Sequence, residues 1–152
     1  MPHNKKLLFG TRSGLYTFNA STSKFMPSNM LGDQFLDRNI GVHRMSKDKA
    51  GKTWLVTYSQ SGSGDFSIGY VIPRIAEDIG EDPEWIITPF MGLSHEIKHA
   101  VYHDDDGVTW LGGPDGLFRF DANILKEYDQ EYFALIRKVR LSKDSVLFWG
   151  AN

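Results

Sequence analysis

The stretch Asp104–Asp121, "DDDGVTWLGGPDGLFRFD", decides how this 152-residue chain is read. An Asp-rich turn ending in Gly107 leads into "VTWLGG", and a second turn at Pro114-Asp115-Gly116 leads into "LFRFD". Short aromatic and β-branched runs between Gly turns are the mark of an antiparallel hairpin. The pattern recurs. "LFGTRSGLYTFNA", Leu8–Ala20, lies without a gap on "WLGGPDGLFRFDA", Trp110–Ala122, with Gly10, Gly14, Leu15 and Phe18 on Gly112, Gly116, Leu117 and Phe120. "HRMSKDKAGKTWLVT", His43–Thr57, lies on "HAVYHDDDGVTWLGG", His99–Gly113, with Asp48, Gly51, Thr53 and Trp54 on Asp104, Gly107, Thr109 and Trp110.

Leu8 and Trp54 are 46 residues apart, and Trp54 and Trp110 are 56 apart, with "YSQSGSGDF" and "EDIGEDP" as the added residues of the longer interval. A period in the forties, filled with short strands and Gly turns, is that of a four-stranded propeller blade. The first strand is "IGVHRMSK" or "EIKHAVYH", the second "TWLVTY" or "TWLGG", and the third "SIGYVI" or "GLFRF". The fourth is "EWIITPF", with "KFMPS" as its counterpart in the first copy. Asp48 and Asp104 are expected to bond backbone N–H groups of their turns, Gly51 and Gly107 to take positive φ, and Trp54 and Trp110 to pack between blades.

The repeat resembles the two-component regulator propeller repeat, roughly D-x-x-G-x-x-W-x-G-T-x-x-G-L-x-x-F-D. Asp104–Asp121 matches nearly throughout, "KKLLFGTRSGLYTFN" matches the second half, and "DKAGKTWLVT" the first half. The departures are Gly113 for the usual threonine, Val56 for the usual glycine, and the enlarged loop after Thr57. The expected fold is all-β, a partial β-propeller of about three four-stranded antiparallel blades at about 5–30, 38–92 and 94–122, within a propeller region 1–128. In that family the tail, 129–152, leads toward an Ig-like "Y_Y_Y" domain. The resemblance favours strands at Ala134–Leu141 and Ser145–Phe148. Local periodicity (Ile124, Tyr128, Tyr132, Leu135, Val139) instead favours a helix, and a short one around Asn123–Tyr128 stays open.

Composition bounds the partners. Hydrophobic residues are 41% and aromatics 13%, a globular make-up with 15 glycines and four tryptophans. A net charge of −2 argues against a nucleic-acid partner. No apolar run reaches a membrane span, and "MPHNKKLLFG" lacks the apolar region of a signal peptide. Cysteine is absent, which removes disulfides and thiolate chemistry.

Several motifs suggest chemistry. His95, Glu96 and His99 spell H-E-x-x-H, a zinc-hydrolase signature when helical. The repeat register instead places this segment on the first strand of a blade, where His95, His99 and His103 stand about 13 Å apart per four residues, too far to share one metal. "DDDG" lacks the alternating oxygen ligands of a calcium loop. "SKDKAGKTW" is similar to the Asp-box of sialidases with one extra residue, a structural turn even there. No G-x-S-x-G elbow or phosphate cradle is present, and the acidic clusters read as solvated turns. No catalytic residue, metal or cofactor is therefore expected.

The resemblance implies an extracytoplasmic, periplasmic ligand-sensing propeller of a hybrid histidine kinase, with an oligosaccharide as ligand. The implied ligand face is the rim of loops joining second to third and fourth to first strands: Thr11–Gly14, Tyr58–Phe66, Gly113–Gly116, Gly32–Asn39 and Gly92–His95. Arg12, Tyr58, Gln60, Asp65, His95 and Asp115 are its candidate ligand residues. The other two classes are a structural or protein-interaction propeller and a propeller glycosidase or lyase. Gly41, His43, Ile97 and His99, placed toward the ring axis, supply no acid pair for the latter. About three blades do not close a ring, so the expectation is that further blades of a larger sensor, or identical chains, complete it.

Overall fold

The computed structural model describes residues 2–3, 6–61, 65–72, 83–93, 96–124, 126–128, 138–140 and 146–149. The chain is all-β, and its strands form successive antiparallel sheets in chain order. Blade 1 contains β1 (Pro2–His3), β2 (Lys6–Thr11), β3 (Gly14–Asn19) and β4 (Lys24–Pro27), paired in that order. Blade 2 contains β5 (Ile40–Lys47), β6 (Thr53–Ser59), β7 (Phe66–Val71) and β8 (Trp85–Ile86). Blade 3 is described as three strands, β9 (Ala100–His103), β10 (Val108–Gly113) and β11 (Gly116–Asp121). A separate pair, β12 (Lys138–Arg140) and β13 (Val146–Trp149), follows. These are the sheets of a partial propeller of about three blades, with no closed barrel.

The repeat alignment survives at the level of single residue pairs. Leu8 pairs with Thr17, Phe9 with Tyr16, Gly10 with Leu15 and Thr11 with Gly14. Their aligned counterparts pair likewise: Trp110 with Arg119, Leu111 with Phe118, Gly112 with Leu117 and Gly113 with Gly116. The second alignment holds in the same way. Lys47–Thr53, Ser46–Trp54, Met45–Leu55 and Arg44–Val56 correspond to His103–Thr109, Tyr102–Trp110, Val101–Leu111 and Ala100–Gly112.

The turns explain the shared register. The Asp48 carboxylate accepts the Lys52 N–H at 2.8 Å and the Trp54 indole N–H at 2.9 Å. The Asp104 carboxylate accepts the Asp106 N–H at 3.1 Å and the Val108 N–H at 2.8 Å. Gly51 and Gly107 sit at φ 85° and 83°, a region open to glycine at little cost. Each Asp thus closes the same turn, which launches its second strand in the same phase.

Strand alternation then builds two interblade cores. Leu8, Leu15, Leu31 and Phe35 pack with Val42, Leu55 and Val71 between blades 1 and 2. Trp54, Val56, Ile68, Tyr70 and Phe90 pack with Leu111 between blades 2 and 3, with Val101, Phe118 and Phe120 beside them. Trp54 lies between blades, as its repeat position predicts, whereas Trp110 is only half-buried because no described blade lies beyond it.

Other differences from the sequence reading are local. "EWIITPF" supplies only the two-residue β8 before a 3-10 turn at Thr88–Phe90, since Pro89 has no N–H to donate to a ladder. In "EIKHAVYH" only Ala100–His103 is strand, and 96–99 approaches it as irregular backbone rather than a zinc-binding helix. Blade 1 starts earlier than residue 5, because Pro2–His3 pairs with Lys6 and Leu7. No helix forms in the described part of 123–128, and in the tail Lys138–Arg140 and Val146–Trp149 are strands, the second reaching one residue past the expected Ser145–Phe148. Residues 134–137, 141 and 145 lie outside the described residues.

Candidate functional site

Antiparallel hairpins put the Asp48 and Asp104 turns at one end of their blades, and the 12–13, 60–65 and 114–115 connections at the other. Both ends are cross-linked between blades. At the Asp end, Ser46 Oγ lies 2.8 Å from His103 Nε2, and Lys49 pairs with Asp105. His103 Nδ1 in turn lies 2.9 Å from Thr109 Oγ1, and its ring packs 5.2 Å from that of Trp54. Burial holds the His103 pKa below its ordinary 6.5, opposed by the nearby Asp48 carboxylate. Hydroxyl partners serve either protonation state, so desolvation decides the direction.

The opposite end gathers the loops expected to form the ligand rim. Gln60 Nε2 donates to the carbonyls of Arg12 at 2.5 Å and Arg38 at 2.6 Å, its own backbone N–H reaches the Asn39 carbonyl, and Arg12 Nε donates to Gln60 Oε1 at 3.3 Å. Three rim loops therefore converge on one amide. Gly14, at φ 101°, lies so close to the Phe35 carbonyl that a Cβ would sit 2.3 Å from that oxygen. The loop 11–14 is thus docked on 32–39.

Asp115, another candidate, is bound to a lysine that composition alone does not single out. Lys98 Nζ donates to both Asp115 oxygens, at 3.1 and 2.9 Å, and to the Glu96 carbonyl at 2.9 Å, and it lies 5.2 Å from the Phe118 ring centre. The lysine side chain is 3% exposed and the aspartate side chain 18%. Tyr58 is half-buried with its ring 5.7 Å from Phe66, and Phe66 stands 6.0 Å from His43, which stands 6.2 Å from His99. Asp65 is exposed, and its carbonyl accepts the Ser59 N–H. His95 lies outside the described residues.

A cleft of about 230 Å³ opens at this end, where Val56, Phe66, Ser67 and Ile68 of blade 2 face the segment from Ile87 to Lys98. Its walls are mostly apolar, with Phe66, Phe90, Met91 and Leu93 on them, and Glu96 and Lys98 supply its charged side. None of the described sequence-selected residues lines it directly, but Tyr58 backs Phe66 and Asp115 holds Lys98. Lys98 carried one readable signal, the lone lysine of "EIKHAVY" just before a strand. Met91 carried none, because it belongs to the non-repeating connection, and Leu93 was marked only by its place in the Gly92–His95 rim loop.

Among the described residues, no three His, Cys, Asp or Glu side chains come together to hold a metal ion, and no helix is long and apolar enough to cross a membrane. No family model matches the chain, and neither a curated protein nor a solved structure matches it.

Proposed function

We propose that this chain is part of a ligand-sensing propeller of the two-component regulator type. On this reading it works outside the cytoplasm as the periplasmic sensor of a hybrid histidine kinase and binds an oligosaccharide. The observation that carries the reading is the cleft between blade 2 and the segment leading into blade 3, at the end where the loops converge. Its volume suits a single sugar ring. Phe66, only half-buried, offers a face for a pyranose to stack on, and the exposed Ser67 and Glu96 offer polar partners for hydroxyls, while Lys98 is engaged by Asp115. Recognition rather than hydrolysis fits the cleft, because glycoside cleavage takes two flanking carboxylates and Glu96 is the one carboxylate among the described cleft residues.

A panel of oligosaccharides in a thermal-shift assay tests this. A saturable rise in melting temperature with one sugar class, lost in Phe66→Ala, is the expected result. No shift with any sugar, or a shift that Phe66→Ala leaves intact, refutes the cleft as a sugar site. The second reading is a structural or protein-interaction propeller. It is favoured by Gln60 and Asp115, whose polar groups are engaged in holding loops together, and it predicts the flat result.

A further inference from the structure

Repeat-equivalent residues differ sharply in burial at the two ends of the array. Leu15 is 0% exposed in the core between blades 1 and 2, while its equivalent Leu117 in blade 3 is 68% exposed. Trp54 fills the second core, while its equivalent Trp110 is half-buried. Alternation places Tyr102, 64% exposed, on the same outward face, since it pairs with Trp110. The mirror situation holds at the other end. Phe120 packs against the second core, while its equivalent Phe18 is 48% exposed. Phe9, Phe18 and Phe25 form an aromatic cluster there, with Phe25 standing 5.1 Å from Phe9 and 5.3 Å from Phe18.

The two open faces are therefore the unmatched halves of one interface. Within the chain, the Leu8/Leu15 or Trp54 face of each blade buries against the Leu55 or Leu111 face of the next. Blade 3 presents the first kind of face and blade 1 the second, in continuity with joints the molecule already makes. We propose that the open face of blade 3 receives blade 1 of a second copy of this chain, and reciprocally, so that two chains close one six-bladed ring. Six lies within the four to eight blades of closed propellers, and a head-to-tail contact that closes forms a finite assembly. Closure buries the exposed aromatic and aliphatic faces at both ends, which are liabilities while open. The inference rests on the repeat and its packing and is independent of any sugar ligand.

The test is solution mass by light scattering and sedimentation over a range of concentrations. The expected value is twice the 17.3 kDa chain mass. Leu117→Lys and Phe18→Asp each return the mass to that of one chain with an unchanged circular dichroism spectrum, because both side chains are exposed in the single chain. An equimolar mixture of the two variants regains the doubled mass, since one of its two joints has only unaltered faces. Tyr102→Glu serves for blade 3 should Leu117→Lys not fold. A single-chain mass for the unaltered protein, a mass that climbs without plateau, a dimer that survives the substitutions, or a mixture that stays monomeric each overturns the proposal.

Discussion

Lys98 carries an ammonium into a site only 3% exposed, so the two partners of its ion pair respond differently to truncation. Asp115→Ala removes the carboxylate that faces this buried charge, and is expected to cost about 3–5 kcal/mol. Lys98→Met keeps the stem and leaves a carboxylate that water can reach, and is expected to cost about 1 kcal/mol or less. Urea midpoints of the two variants check this, and equal losses would refute it. His103 gives a residue-scale pH effect. Its folded pKa lies below 6.5, so between that value and 6.5 the unfolded chain holds more protons than the folded one. Stability contributed by neutral His103 is full above 6.5 and is lost as the pH falls through the folded pKa. Urea midpoints measured from pH 7.5 to pH 5 are expected to fall on acidification, with a shallower slope in His103→Gln.

The turns are the element whose local chemistry matters most. Asp48 and Asp104 close equivalent hairpins, but only Asp48 also satisfies an indole N–H, that of the buried Trp54. Asp48→Ala orphans that donor as well as opening the turn, and is expected to cost about 3 kcal/mol. Asp104→Ala loses turn bonds to backbone N–H groups at an exposed end, and is expected to cost about 1 kcal/mol. Denaturant titration of both variants distinguishes the two roles; a cost for Asp104→Ala equal to that for Asp48→Ala would contradict them. The fourth strands show the opposite side of element behaviour. Only Trp85–Ile86 of the strand-like run "EWII" is strand, ahead of the 3-10 turn that holds Pro89, so the repeat template fails there.

At the scale of the whole molecule, blade 2 holds the assembly together because both cores use it. Leu8 lies in the first core and Leu111 in the second. Each change to Ala is expected to cost about 2–5 kcal/mol, since a fully buried leucine leaves a cavity. The double variant is expected to match the sum within about 0.5 kcal/mol, as Leu8 and Leu111 belong to different clusters. Urea unfolding of the two single variants and the double variant measures this, and a large deficit or excess would mean that the cores are one cooperative unit.

Much of the fold was legible in the residues. Two ungapped alignments fixed strand register pair for pair, and the D-x-x-G turns announced their own geometry, because turn chemistry and period-2 alternation act over a few residues. The site was less legible. The cleft is lined by Phe66, Met91, Leu93, Glu96 and Lys98, of which Met91 and Leu93 come from the connection outside the repeat and so had no repeat template. Gln60 and Asp115 read as ligand groups in the sequence, and only the placement of their partners shows them engaged between loops. By itself, then, the sequence determined the repeated hairpins, their register and the kind of interface each blade face can make. Only the tertiary structure decided which faces find a partner, why Leu15 is buried and Leu117 exposed, and where the cleft lies. Burial is a property of neighbours, and neighbours far apart in the chain leave no local trace.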